Sequence, residues 1–491
     1  MRSSIWVATV LLSILVAVSL CEGLEPAAEQ YLENAKVAQR SGEHDKAVDL
    51  FTRAIKSGVT TADVYFRRGL SYERIGKTKQ AIEDYSKAIQ LDPKLETALN
   101  NRGSAYYRMG EYDNAIRDYS RALELNPAYA LAYYNRGNAY HGKNDYEKSI
   151  ADFSKAIEIN PSDRDAYNNR GWAYLQKNDL QHAIQDFNRA IELDPEYALP
   201  YYNRGNASMK AGDNDAAIRD LSKAIELSPD YALAYFQRGN AHFRRGDLDG
   251  AISDYNHSIR ITPTYADAYN NRGWIFFKKG NLAQSLRDIS KALSLNPKLA
   301  RAYSNRGWIE KSLGECVKAI PDFTKALELE EAQAPVYVYR SECLLEMNQP
   351  DKAMKDLEHA AALDPQDADT LATLGVLKEN SGDYDAAVKL FTSVVSTDPN
   401  SSNAHFNLGA ALARKGMISQ AIREFSRSIQ LDPQNREAFL NRAIAYEFQG
   451  NSEKSKADFV QGLSIPAKED TSRSLRQHVD ADRVKETLAA R

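Results

Sequence analysis

Residues 165–197 read DAYNNRGWAYLQ, then KND, then LQHAIQDFNRAIEL, then DPEY. Tyr167, Gly171 and Tyr174 have the 4-then-3 spacing of one helical face, and Ala183, Phe187 and Ala190 repeat it beyond the break. Asn178 tolerates the left-handed backbone that ends a helix, so the KND turn predicts two short antiparallel helices. Asp194-Pro195 stops the second helix and turns the chain towards its next segment.

That next segment has the same pattern. Prolines fall at 93, 127, 161, 195, 229, 263 and 297, each 34 residues after the last. The series resumes in register at 365, 399 and 433, with Glu331 in the missing slot. Thirteen repeats therefore run without insertion from Ala28 to Glu469, leaving a tail from Asp470 to Arg491 that is expected to cap the last repeat. With the proline as position 32, position 15 is Gly or Asn in every repeat. Position 8 is Gly69 through Gly307, then Ser341, Gly375, Gly409 and Ala443, which predicts a close helix–helix approach there.

Composition narrows the function. The 63 basic and 67 acidic residues nearly cancel, which excludes a global basic footprint for nucleic acid. Three cysteines in 491 residues exclude a disulfide-stapled scaffold or a cysteine-rich zinc protein. The 28 tyrosines, spread evenly along the chain, are a trace of the repeat. Residues 1–25 have the layout of a secretory signal: Arg2, then the apolar stretch Ile5–Leu20, then Glu22-Gly23. The chain is expected to be exported, periplasmic or secreted, with lipidation at Cys21 or a retained N-terminal anchor as alternatives. Membrane contact is expected only through this segment.

Tyr167, Gly171, Tyr174, Ala183, Phe187 and Pro195 match the 34-residue tetratricopeptide (TPR) pattern, and residues 28–469 resemble TPR repeats throughout. The resemblance implies an all-α, right-handed superhelical α-solenoid of antiparallel helix pairs, concave on the first-helix side, that binds proteins and does no chemistry. Consistently, there is no Gly-rich phosphate loop, no HExxH, no G-x-S-x-G and no clustering of the eight histidines, so neither catalysis, cofactor nor metal is expected. Glu331 in the proline slot, Pro335 and Pro350 predict a break that separates repeats 1–9 (28–333) from repeats 10–13 (334–469). Cys316 and Cys343 flank that break, as a disulfide or as two buried thiols.

Position 7, usually Leu in the family, is Arg in ten repeats, and position 23 is Asp in the same ten; Arg136 with Asp152, Arg170 with Asp186 and Arg204 with Asp220 are examples. In repeat 11 both are leucine, Leu374 and Leu390. Residues that come and go together predict a bidentate ion pair, within a repeat or between adjacent ones, rather than a basic stripe for phosphate.

In TPR folds first-helix positions 2, 5, 6, 9 and 12 build the concave wall. Position 6 carries Asn101, Asn135, Asn169, Asn203, Asn271 and Asn305, which resemble the asparagine ladder by which some TPR superhelices hold extended peptides. Tyr134, Tyr202 and Phe236 at position 5, and Trp172, Trp274 and Trp308 at position 9, are candidate anchors. The competing readings are amides that bridge helices and rings that belong to the core. The expected function is a non-catalytic adaptor for extended protein segments; the alternatives are stacking on a polysaccharide or a passive spacer. Capture of chaperone EEVD tails is not expected, because position 5 is never basic and position 2 is basic only at Arg301.

Overall fold

The computed structural model describes residues 28–330 and 332–466; the expected signal segment with Cys21, Glu331 in the proline slot and the C-terminal tail lie outside them. Twenty-six helices follow one another among the described residues, from 28–40 to Ser452–Ser464, two to each repeat and with no strand. This is the all-α helix-pair architecture of an α-solenoid. The chain divides after Thr262 into two compact bodies, and the boundary expected at 333/334 falls inside the second.

Repeat 5 shows why these residues make this unit. Its first helix, Arg164–Gln176, starts at Asp163, whose carboxylate accepts from the amides of Asp165 (3.0 Å) and Ala166 (3.1 Å). Asn178 then takes φ 63°, as position 15 does with positive φ in all thirteen repeats. Asp179 caps the second helix, Leu180–Leu193, through the His182 amide. Phe187, Ala183 and Ala190 are fully buried between the two helices.

The close approach is decided at position 8. A Cβ placed on Gly171 would lie 2.8 Å from the Phe187 ring, and one on Gly69 or Gly103 equally close to Tyr85 or Tyr119. The ring at position 24 therefore occupies the space a side chain at position 8 would need.

Each Arg–Asp pair lies inside its own repeat. Arg170 Nε and Nη2 donate to the two Asp186 oxygens at 2.8 Å each; Arg136 grips Asp152 at 2.7 and 2.8 Å, and Arg204 grips Asp220 at 2.8 and 2.6 Å. The third arm of the guanidinium reaches backwards: Arg170 Nη1 donates to Ser154 of repeat 4 (3.0 Å), Arg136 to Ser120 (2.9 Å) and Arg204 to Asn188 (2.5 Å). Arg170 also lies over the Tyr167 ring, 5.6 Å from its centroid. One side chain thus fastens both helices of its repeat and the second helix of the repeat before it. Its hydrogen bonds to Asp hold such an arginine, Arg136 for example, above its ordinary pKa.

In the second body a disulfide joins Cys316 to Cys343, Cα atoms 5.1 Å apart, and ties the second helix of repeat 9 (Cys316–Leu329) to the first helix of repeat 10 (Ala334–Glu346).

This packing is open to test by substitution. Gly171→Val should lower stability by about 1–3 kcal/mol in chemical denaturation, and Phe187→Leu in the same chain should recover part of the loss. Asp186→Ala should cost about 3 kcal/mol by stranding Arg170, whereas Asp186→Ala with Arg170→Leu should cost less. Equal melting temperatures for the last two variants would refute the ion-pair account.

Candidate functional site

The first-helix face carries the sequence-predicted residues, and packing sorts them. Position 6 amides mostly bridge neighbouring repeats. Asn135 donates to Asn100 of the repeat before it (3.0 Å), Asn203 to Asn168 (2.9 Å) and Asn305 to Asn270 (2.9 Å). Each acceptor in turn donates to its chain neighbour: Asn100 to Asn101 (3.3 Å), Asn168 to Asn169 (3.1 Å) and Asn270 to Asn271 (3.1 Å). Asn169 continues the chain to the Tyr134 hydroxyl and the Asn138 side-chain Oδ1, both at 3.0 Å. Three clusters of asparagines result, in repeats 3–4, 5–6 and 8–9. Their signal in the sequence is the Asn-Asn-Arg doublets at 100–102, 168–170 and 270–272, each accompanied one repeat later by a single Asn-Arg.

Bridging does not exhaust these groups. A side-chain amide offers two donors and two acceptor sites, more than the bonds of Asn101, Asn135 and Asn305 consume, whereas Asn169 keeps only an acceptor site. Asn101, Asn135, Asn169, Asn271 and Asn305 remain half-buried, whereas Asn203 is only 7% exposed and belongs to the interior. Position 5 rings are likewise drawn inward, against position 24 of their own repeat. Phe236 is 9% exposed with its ring 5.7 Å from Tyr255, so it presents no face to a ligand; Tyr134 lies against Phe153 but stays half-buried. Tyr202 stacks at a tilt on Tyr231, centroids 4.9 Å apart.

The three tryptophans are half-buried and fall into two groups. Trp172 packs beside His141 of repeat 4, centroids 5.6 Å apart, and His141 also meets Tyr146 edge-on. In the second body Trp274, Phe277, Trp308 and Tyr339 form a connected cluster, with Trp308 edge-on to each of the other three. Their rings are largely satisfied by one another.

Nine side-chain polar atoms among the described residues are buried without a hydrogen-bond partner, and two of them lie at groove positions of the first helices: His141 Nε2 at position 12 of repeat 4 and Asn206 Oδ1 at position 9 of repeat 6. They sit in the repeats on either side of the one that carries Trp172. Neither stands out in the sequence, because an isolated His or Asn among many has no periodic signature. Burial also pushes the His141 imidazole below its ordinary pKa of 6.5. Among the described residues no His, Cys, Asp and Glu group is arranged to hold a metal ion, and no helix is long and apolar enough to cross a membrane.

Comparison with known proteins gives a consistent family. A model described as TPR repeat matches residues 74–110, 103–144, 205–246 and 239–280. Models described as tetratricopeptide repeat match 130–163, 165–197 and 266–299, then 380–439, and then 334–367. Together they span more than half of the chain. No curated protein matches. Among solved structures the chain is similar to yeast Tom70, at 18% identity and TM-score 0.42, over 81% of this chain and 97% of that one. It is also similar to YrrB, described as a TPR protein with an unusual peptide-binding site, at 29% identity and TM-score 0.32, over 38% and 95%. MamA from Desulfovibrio magneticus RS-1 matches at 22% identity and TM-score 0.33, over 35% and 96%.

His141 supplies a pH-dependence. A histidine whose folded pKa lies below its unfolded value takes up its proton more readily unfolded, so stability falls as pH drops below about 6.5. Denaturation between pH 7.5 and 5 should show the wild-type chain losing stability relative to His141→Gln as the pH falls; parallel curves would refute it.

Proposed function

The chain belongs to the tetratricopeptide repeat proteins, and on that premise we propose that it is a non-catalytic protein-interaction scaffold that holds extended peptide segments on the first-helix face of repeats 4–6, in an exported setting. The observation that carries this reading is the half-buried Trp172 on the first-helix face, with the half-buried Tyr202 in the next repeat and the half-buried amides Asn135 and Asn169 at position 6. Trp172 and Tyr202 provide apolar contact, and the half-buried amides Asn135 and Asn169 have unused capacity for backbone hydrogen bonds, which do not depend on the sequence of the peptide.

Export rests on the sequence of residues 1–25, with Arg2 before the apolar stretch Ile5–Leu20. The N-terminal segment is then the one route to a membrane, by lipidation at Cys21 or as a retained anchor. A polysaccharide ligand is less favoured. The Trp274–Trp308 cluster that would stack on sugars has its ring faces and edges engaged internally.

Photo-crosslinking tests the reading. A crosslinking residue at Trp172 or Tyr202, compared with one at the exposed second-helix residue Gln185, should capture a protein partner from the native envelope at the first two sites only. Capture from neither, by a folded and exported chain, would leave glycan binding or a spacer role.

A further inference from the structure

The second helices of repeats 9 and 10, Cys316–Leu329 and Pro350–Leu363, border a cleft of about 540 Å³. Its apolar wall includes Val317, Ile320, Leu344 and Met347, and Lys352 and Lys355 stand on its rim. None of these belongs to the first-helix groove of repeats 4–6.

Repeat 9 departs from the other repeats where the cleft opens. Position 18 is Asp or Glu in eight repeats, Asp215, Asp351 and Asp385 among them, but is Val317 here, 71% exposed. Position 22 is polar or alanine in every other repeat and is Pro321 here, inside the helix. A mid-helix proline removes the amide that Val317's carbonyl would accept from, so this surface has been made apolar at the expense of helix stability. Met347 (38%), which lines the same cleft, extends the exposed apolar area. A contiguous exposed patch of this kind marks an interaction site more often than isolated surface apolar residues do.

The charges indicate what it would take. Asp356, the acid that lines the cleft, is held by Arg340 at 2.8 and 2.6 Å, while Arg340 Nη1 also donates to Thr324. Neighbouring lysines are neutralised: Lys311 by Glu342 (2.7 Å), Lys318 by Glu315 (2.8 Å) and Lys325 by Glu328 (2.8 Å). Among the described residues Lys352 and Lys355 meet no carboxylate; Lys352 contacts only the Gln349 amide oxygen, at 2.8 Å. Two uncompensated cations therefore border an apolar slot.

We propose that this cleft is a second docking site, for an acidic peptide segment of a partner protein that inserts an aliphatic side chain beside Val317 and Met347 and places carboxylates on Lys352 and Lys355. It is independent of the first-helix groove, so the scaffold would hold two segments on different helices.

Fluorescence anisotropy of the full chain with three labelled hexapeptides tests this: DELLED, its apolar-deleted form DESSED, and the basic form KKLLKK. DELLED should bind, and DESSED and KKLLKK should each bind about tenfold more weakly. Val317→Asp, which restores the acid found in eight other repeats, and the double change Lys352→Glu with Lys355→Glu should each weaken DELLED about tenfold or more. Gln185→Ala, at an exposed second-helix residue outside both sites, should leave it unchanged. The proposal is overturned if DELLED does not bind, if the three peptides bind alike, or if binding survives the lysine reversals. Loss with Trp172→Ala but not Val317→Asp would place the peptide in the other groove and overturn it too.

Discussion

Where a first helix crosses its own second helix, the ring or branched side chain at position 24 fills the volume that a side chain at position 8 would occupy. Phe187 against Gly171, Tyr119 against Gly103 and Leu221 against Gly205 repeat this contact at the same 2.8 Å limit. Because the backbones are brought this close, Arg at position 7 reaches the Asp sixteen residues later with both ends of its fork. The same fork closes where position 8 is Ser341 or Ala443, so a small residue there suffices; left without its acid, a semi-buried arginine would be a liability instead of a clamp.

The clamp is what makes separate pairs into an array. A TPR unit cannot bury its apolar face alone and depends on its neighbours. Arg170 addresses this with one side chain: Asp186 in its own repeat, Ser154 in the repeat before it, and the Tyr167 ring beneath. Repeat 11 uses another solution. Leu374 is buried where the arginine would be, and the connection to repeat 10 passes instead through Lys378 and Glu358, 2.6 Å apart. In repeat 12, Glu424 at position 23 takes His405, at 2.7 Å, in place of an arginine. The polar lock is therefore one of several ways to meet the same requirement, and its uniform use in repeats 2–10 leaves their first-helix surfaces free to vary.

That surface does two kinds of work. Asn135, Asn169 and Asn305 tie one repeat to the next through amide–amide bonds, yet an amide so engaged still offers valences to a ligand. Trp172 and His141 pack against each other, centroids 5.6 Å apart, and both stay half-buried. Near repeats 9 and 10 the unusual residues move to the second helices instead, where Val317 and Pro321 replace polar side chains close to the Cys316–Cys343 disulfide.

The helix pairs, their turns, the tight crossing at position 8 and the Arg–Asp partnership were all legible in the sequence. Each is confined to one 34-residue period, and repetition separates the required residues from the incidental ones. Even there the serine, threonine or asparagine at position 25 gives no sign of its role, which is to receive an arginine from the following repeat. Tertiary structure alone decided which polar residues face outwards. Asn203 and Asn169 share a position and a residue type, but only packing distinguishes the buried one from the half-buried one, and the same holds for Phe236 and Tyr134. The orphaned atoms of His141 and Asn206 and the cleft at Val317 belong to the same class. They are single departures from a regular lattice, and their surroundings are supplied by neighbouring repeats, so exposure and hydrogen-bond partners become defined only once the helices are stacked.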